Sequence, residues 1–188
     1  MLRPALSLFV VFSVLTGLVY PALVTGIAQL VMPWQANGSL VVGQGGVIGS
    51  RVVGQAFDAP GAFWGRPSAA AYDASASAGS NLGPTSAVLL DAVRARVDAL
   101  HAADPSNDAA IPVDLVTASA SGLDPDLSIA GALYQVPRVA RVRGLDEASV
   151  RALVEACAER PVLGVFGEPH VNVLALNLAL EALSSTRP

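Results

Sequence analysis

Ser119 and Ser121 in the run TASASG, Asp124 just beyond it, and His101 and His170 elsewhere supply the residue types of a serine hydrolase. That chemistry needs a hydroxyl next to an imidazole that a carboxylate orients. The local setting argues against it, because the run has no Gly-x-Ser-x-Gly elbow between a strand and a helix. The expected role of these serines is to hold a tight loop, their hydroxyls capping neighbouring backbone. Asp124 and Asp126 flank a proline, which suits a turn. A calcium loop needs several more oxygen ligands at set spacing, so no metal site is expected.

Other reactive classes are excluded by composition. The chain has no lysine; all eleven basic residues are arginine. A Walker A loop needs a lysine on the phosphates, and a Schiff-base enzyme or a Ser-x-x-Lys acylase needs one too. The glycines at 43, 45, 46 and 49 do not have dinucleotide-fingerprint spacing and read as a hairpin turn. The single cysteine, Cys157, falls in the apolar phase of a predicted helix and reads as a small core side chain. A net charge of −4, with no basic patch, points away from nucleic acid.

The elements that must position these residues begin with an anchor. The chain is 53% hydrophobic and only 14% charged, against roughly 25% charged for an ordinary soluble domain. No charged residue occurs between Arg3 and Arg51. Pro4–Pro33 exceeds the roughly 20 apolar residues that span a bilayer. A cleaved signal has a shorter apolar core and a small-x-small site, and Trp34 occupies a position where a small residue would be wanted. The expectation is a retained helix over residues 1–34 with Trp34 as an interfacial aromatic, followed by an exterior α/β (mixed α+β) domain over 35–188. Arg3 on one flank, with no basic residue on the other until Arg51, places the amino terminus in the cytoplasm and the rest outside. A membrane-anchored exterior serine hydrolase using the TASASG loop is the alternative function on this reading.

Beyond the anchor, Asn37-Gly38 favours a turn and Val47–Gln55 reads as a strand. Residues 58–84 are rich in Ala, Ser, Gly and Pro and read as one long loop. Within it, Phe63 and Trp64 either cover the core edge or form an interface anchor together with Arg66. Residues 85–103 predict a helix with an apolar stripe of Val88, Leu89, Val93, Val97 and Leu100, stopped at Asp104-Pro105. Val113–Val116 reads as a short buried strand. Ser128 caps a helix through Tyr134, which Pro137 must kink or restart. Asp146 caps the next helix, Pro161–Phe166 reads as a strand, and Asn172–Leu183 as a final apolar helix.

Eight stretches in order resemble one family. They are RPAL (Arg3–Leu6), TGLVYP (Thr16–Pro21), PWQANGSL (Pro33–Leu40), VVGQAF (Val52–Phe57), FWGRPSA (Phe63–Ala69), SNLGPT (Ser80–Thr85), the long run VDLVTASASGLDPDLSIAGALYQVPRVARVRGL (Val113–Leu145) and VNVLALNLAL (Val171–Leu180). The chain resembles the KdpC family, one of the components of the bacterial Kdp potassium-transporting P-type ATPase, over essentially its whole length. One local departure is Gly131, where the family usually has alanine.

The resemblance implies a non-catalytic accessory subunit with one helix in the lipid of the bacterial inner membrane. Its partners would be a channel-like potassium-binding subunit, a P-type ATPase subunit and a small single-span subunit. It implies no cofactor of its own; ATP is bound by the complex. Two roles follow from the resemblance: a catalytic chaperone that raises the ATP affinity of the ATPase subunit, with Gln135 implicated, or a structural cap over the outer mouth of the channel-like subunit. The matching motifs put forward Trp34, Trp64, Arg66 and Arg138 as interface candidates, and with them Ser119, Ser121, Gly122, Leu123 and Asp124. Read from the residues alone, Gln135 either faces an interface or satisfies backbone that Pro137 leaves unpaired. If the orientation holds, Gln135 lies across the bilayer from cytosolic ATP, and any effect on ATP affinity is a coupling between distinct sites.

Overall fold

The computed structural model describes residues 2–43, 45–161 and 163–185. They form a mixed α/β architecture whose packing divides into a first unit ending at Ser50 and a second starting at Arg51.

The first unit is dominated by one helix. α1 (Leu2–Val14) runs through a π-type turn at Leu15–Val19 into α2 (Tyr20–Val31). The wider turn lies just before Pro21, whose missing N–H frees the Gly17 carbonyl and whose ring would crowd it. The Thr16 hydroxyl donates to the Phe12 carbonyl at 2.7 Å, so it is not a bare polar group on an apolar helix. The 30 residues from Leu2 to Val31 carry no buried side chain. At 1.5 Å per residue they reach about 45 Å, more than a hydrocarbon core of about 30 Å. Among the described residues this is the one helix long and apolar enough to cross a membrane.

A single turn, α3 (Pro33–Ala36), follows, and Gly38 (φ +87°) reverses the chain. Trp34 is half exposed, and its indole N–H donates to the Leu40 carbonyl at 2.9 Å. The glycine-rich segment is a hairpin, β1 (Leu40–Gly43) against β2 (Gly46–Ser50). The strand expected to continue to Gln55 stops at Ser50. Ser50 pairs with Leu40, the first residue of β1, so nothing remains for later residues to pair with.

In the second unit residues 51–86 carry no helix or strand, in keeping with the expected long loop. α4 (Ala87–Ala103) follows. Its inward stripe is Leu89, Val93, Val97 and Leu100; Val88, expected in the stripe, is 66% exposed. Val113–Val116 is not a strand. Val113–Leu115 forms a 3-10 turn with local bonds, Leu115 N–H to the Pro112 carbonyl and Val116 N–H to that of Val113. These local bonds leave no ladder. Only Leu115 of the turn is buried.

β3 (Asp126–Ser128) leads into α5 (Ile129–Arg143), with the Ser128 Oγ accepting from the Gly131 N–H at 2.9 Å. The cap is as expected, but α5 continues through Pro137 and ends at Gly144 (φ +63°). Gly131 has a packing reason: a Cβ there would sit 2.9 Å from Leu127 Cγ and 3.1 Å from an Asp114 carboxylate oxygen. Asp146 caps α6 (Glu147–Cys157) by accepting from the Ser149 N–H. β4 (Ala158–Glu159), β5 (His170–Asn172) and α7 (Val173–Ser185) complete the chain. The sheet order is β3-β5-β4, antiparallel throughout.

In place of the strand expected over Pro161–Phe166 the described residues form a turn at Leu163–Val165, with Leu163 (φ +55°) and Gly164 (φ +72°) reversing the chain, and a single bridge residue at Phe166. Val162 lies outside the described residues. Leu163, Val165 and Phe166 are exposed, so their apolar character does not signal a buried strand. The core joins Leu127 and Val171 of the sheet to Val136 and Val139 of α5, Val150 and Val154 of α6, and Leu176 and Leu180 of α7. Phe63 of the long loop is fully buried in it.

Candidate functional site

Burying Phe63 forces a loop backbone into the core, where every carbonyl needs a donor. The donors are side chains. Arg138 donates to the carbonyls of Pro60 and Ala62, and Arg143 to that of Gly61 at 2.7 Å. The Asn177 amide donates to Phe63 O (3.0 Å), Gln135 Nε2 to Trp64 O (3.0 Å) and Arg96 Nη2 to Gly65 O (3.3 Å). The Tyr72 hydroxyl donates to Arg66 O at 2.6 Å. Seven consecutive carbonyls, Pro60 to Arg66, are thus held by side chains from α4, α5, α7 and the later part of the loop.

Two amides grip the strap twice. The Phe63 N–H donates to Asn177 Oδ1 and the Trp64 N–H to Gln135 Oε1, both at 2.8 Å. Gln135 is 1% exposed. Its Oε1 also accepts from Arg138 at 2.7 Å, and its Nε2 also donates to Gly131 O at 3.2 Å. Two donors and two acceptances fill the side chain's hydrogen-bonding capacity. The carbonyl freed by Pro137 belongs to Leu133, and Gln135 does not bond it. Of the two roles open for Gln135, repair of the backbone that Pro137 leaves unpaired is therefore not the one found: the amide clamps Trp64 instead.

Arg138 is 2% exposed and has no carboxylate within ion-pair distance among the described residues. Its guanidinium lies 4.3 Å from the centroid of the Trp64 ring, and that of Arg96 lies 5.4 Å away. A buried cation is tolerable here because carbonyl dipoles, an amide oxygen and a ring face replace water. Burial pulls the Arg138 pKa down to about 10, partly offset by the field of Asp104. Trp64 is thus packed between two arginines, its own Nε1 donating to Ala59 O at 3.0 Å.

The second cluster is the SASGLD turn. Ser119 Oγ accepts from the Gly122 N–H at 3.0 Å and Ser121 Oγ from the Leu123 N–H at 3.1 Å. Asp124 accepts from the Asp126 N–H and pairs with Arg66 at 3.1 Å. The carbonyls of Leu123 and Gly122 accept from the Gly54 N–H and the Ser68 hydroxyl. Gly122 has φ +67°, and a Cβ on it would meet the Ala78 carbonyl at 2.6 Å. These serines hold the loop. Among the described residues neither hydroxyl has a histidine partner; His170 instead bonds Glu168 O and lies 3.9 Å from Asp126 and Glu159. Burial raises the Cys157 thiol above its ordinary pKa, against reactivity.

The structure therefore brings Gln135, Arg138 and Trp64 together, and Arg66 with Ser119–Asp124, while Trp34 belongs to the first unit. Sequence reasoning missed Asn177, Arg96 and Arg143. A signal existed for Asn177, an amide in the middle of an otherwise apolar helix.

A helix long and apolar enough to cross a membrane, followed by a small α/β domain whose buried amides and Arg138 are engaged mainly by its own backbone, fits a membrane-associated protein of the single-span type. A family model described as the c chain of the K+-transporting ATPase matches residues 2–182. A protein from Variovorax paradoxus (strain S110) is 60% identical over 189 residues, covering 99% of this chain and 98% of that protein. Relatives from Polaromonas naphthalenivorans (62%, covering 97% of this chain and 94% of the relative) and Sorangium cellulosum (61%, 96% of each) are as similar. All three bear the name potassium-transporting ATPase KdpC subunit. The chain belongs to the KdpC family.

Proposed function

We propose that this chain is a non-catalytic accessory subunit of an ATP-driven, high-affinity potassium uptake pump of the bacterial inner membrane. The helix Leu2–Val31 anchors it with the amino terminus in the cytoplasm, and the α/β domain works outside. Its partners are the channel-like potassium-binding subunit, the P-type ATPase subunit and the small single-span subunit. ATP is bound by the ATPase subunit. This chain raises that subunit's ATP affinity as a catalytic chaperone, and does so by coupling across the complex, typically about 1–3 kcal/mol for linked sites.

The observation that carries this reading is the saturated Gln135 amide. A side chain 1% exposed with all its bonds filled supports a clamp on the chain's own backbone over a nucleotide contact. Membership of the KdpC family supports the pump assignment. The test is potassium transport by the purified pump with and without this chain. The reading expects transport to be lost without it and restored on adding it back; full transport in its absence overturns the reading.

A further inference from the structure

The stretch TGLVYP (Thr16–Pro21) has no part in the strap or in the SASGLD turn. It forms the π-type turn of the first unit. There the Tyr20 N–H bonds Leu15 O, one residue further back than an α-helix would place it. The Thr16 carbonyl thereby loses its donor at i+4. Its donor at i+5 would be Pro21, which has no N–H. The wider turn does not absorb the proline's loss: it leaves Thr16 O without a helix N–H in either register.

Thr16 and Gly17 are the two central residues of Leu2–Val31. At that depth a spanning helix meets neither water nor headgroups, and acyl chains donate no hydrogen bonds. A carbonyl left unpaired there is costly, so the donor must come from protein. The Thr16 hydroxyl is already given to Phe12 O. One turn on, on the same face, the Tyr20 side chain is exposed, and its hydroxyl has no hydrogen-bond partner among the described residues. A serine or threonine hydroxyl can turn back onto its own helix, but a phenol is held away from it by its ring. Between the two lies Gly17, where nothing stands within 4 Å of a would-be Cβ, so a neighbouring backbone can come close.

We propose that Thr16 O and the Tyr20 hydroxyl receive the side-chain amide of an Asn or Gln at mid-span on a transmembrane helix of another subunit of the pump. The amide N–H donates to the carbonyl and the amide oxygen accepts from the phenol. This rests on the accessory-subunit reading above. An amide carries both functions on one uncharged group, and hydrocarbon disfavours a charged one. A second copy of this chain does not supply it. Gln29 is the one amide between Leu2 and Val31; it lies near the helix end and is bonded to Asn37.

The experiment uses the intact complex. Tyr20→Phe removes only the phenol oxygen. Pro21→Ala restores an N–H, so that the helix satisfies its own carbonyls. Ala22→Leu adds bulk on the far face as a control, and benzoylphenylalanine at Ser13, one turn before Gly17, reports the neighbour on irradiation. We expect Tyr20→Phe and Pro21→Ala each to weaken retention of this chain in the purified complex about three- to tenfold, and Ala22→Leu to leave it unchanged. The cross-link should fall on another subunit within one helical turn of an Asn or Gln. Replacing that amide by leucine should weaken retention by a similar factor, and Tyr20→Phe should then add nothing. Wild-type retention of either Tyr20→Phe or Pro21→Ala, or cross-links only to lipid or to a second copy of this chain, overturns the proposal while leaving the accessory role standing. Failure of the wild-type chain to co-purify with any other subunit overturns both.

Discussion

Gln135 and Trp64 are joined at both ends of one amide: the Trp64 N–H donates to Oε1 at 2.8 Å and the Trp64 carbonyl accepts from Nε2 at 3.0 Å. The side chain does what a neighbouring strand would do, satisfying both backbone groups of one residue. Asn177 does the same for Phe63, the residue before. Two amides from two helices thereby hold an extended backbone that has no sheet to join, and Arg96 and Arg138 flank the Trp64 ring that results.

Truncating the clamp should loosen the strap locally. Gln135→Ala leaves the buried Trp64 N–H and carbonyl without partners, at a cost of about 1–3 kcal/mol. The Trp64 amide should then exchange with solvent about 10- to 100-fold faster, read by hydrogen exchange on the intact chain. Asn177→Ala should do this to the Phe63 amide. Unchanged protection in both variants would mean the amides are incidental to the strap.

Gly122 is the backbone position with least tolerance. Its left-handed conformation and the Ala78 carbonyl 2.6 Å from a would-be Cβ make Gly122→Ala costly, about 2–4 kcal/mol. The expected result is a large drop in thermal midpoint and in the amount of chain recovered with the complex. A midpoint within a degree of wild type would contradict the geometry.

The two serines of the same turn should separate by burial. Ser119 is 2% exposed and caps the Gly122 N–H, so Ser119→Ala should destabilise by about 1 kcal/mol. Ser121 is exposed, and Ser121→Ala should stay within about 0.5 kcal/mol. Chemical denaturation measures both. Any ester hydrolysis by the wild-type chain that disappears in either variant would instead favour a catalytic serine.

The sheet edge carries a pH-dependent contribution. Burial, the largest influence, raises the Asp126 carboxyl above its ordinary 3.8, while its hydrogen bond from Asn172 and the nearby His170 oppose the rise. Between 3.8 and the raised native value, the native state holds a proton that the unfolded chain releases. The stability this group contributes is full below 3.8 and falls as pH climbs through the raised native value. Asp126→Asn should flatten the urea midpoint against pH just above 3.8. Parallel profiles for the two proteins would refute the assignment.

Local signals were legible and remote ones were not. The caps at Ser128 and Asp146, the stop at Asp104 and the helices Ala87–Ala103 and Val173–Ser185 each depend on a few neighbouring residues. The three strands of the sheet are two or three residues long, too short to show alternation, so apolar runs at Val113–Val116 and Pro161–Phe166 looked more strand-like than the real ones. The strap has no local pattern at all. Its carbonyls are satisfied from residues as far as 114 positions away, and only polar residues on apolar helix faces, Gln135, Arg138 and Asn177, mark its partners.

The proposed coupling requires Gln135 to act from outside the membrane, through the strap and the complex. A cysteine introduced at Ala110, an exposed loop position, can be probed in intact cells with a membrane-impermeant maleimide, the wild-type chain with Cys157 alone setting the background. The account predicts labelling of intact cells equal to that after lysis. Labelling that appears only after lysis would put Gln135 on the side of ATP and contradict it.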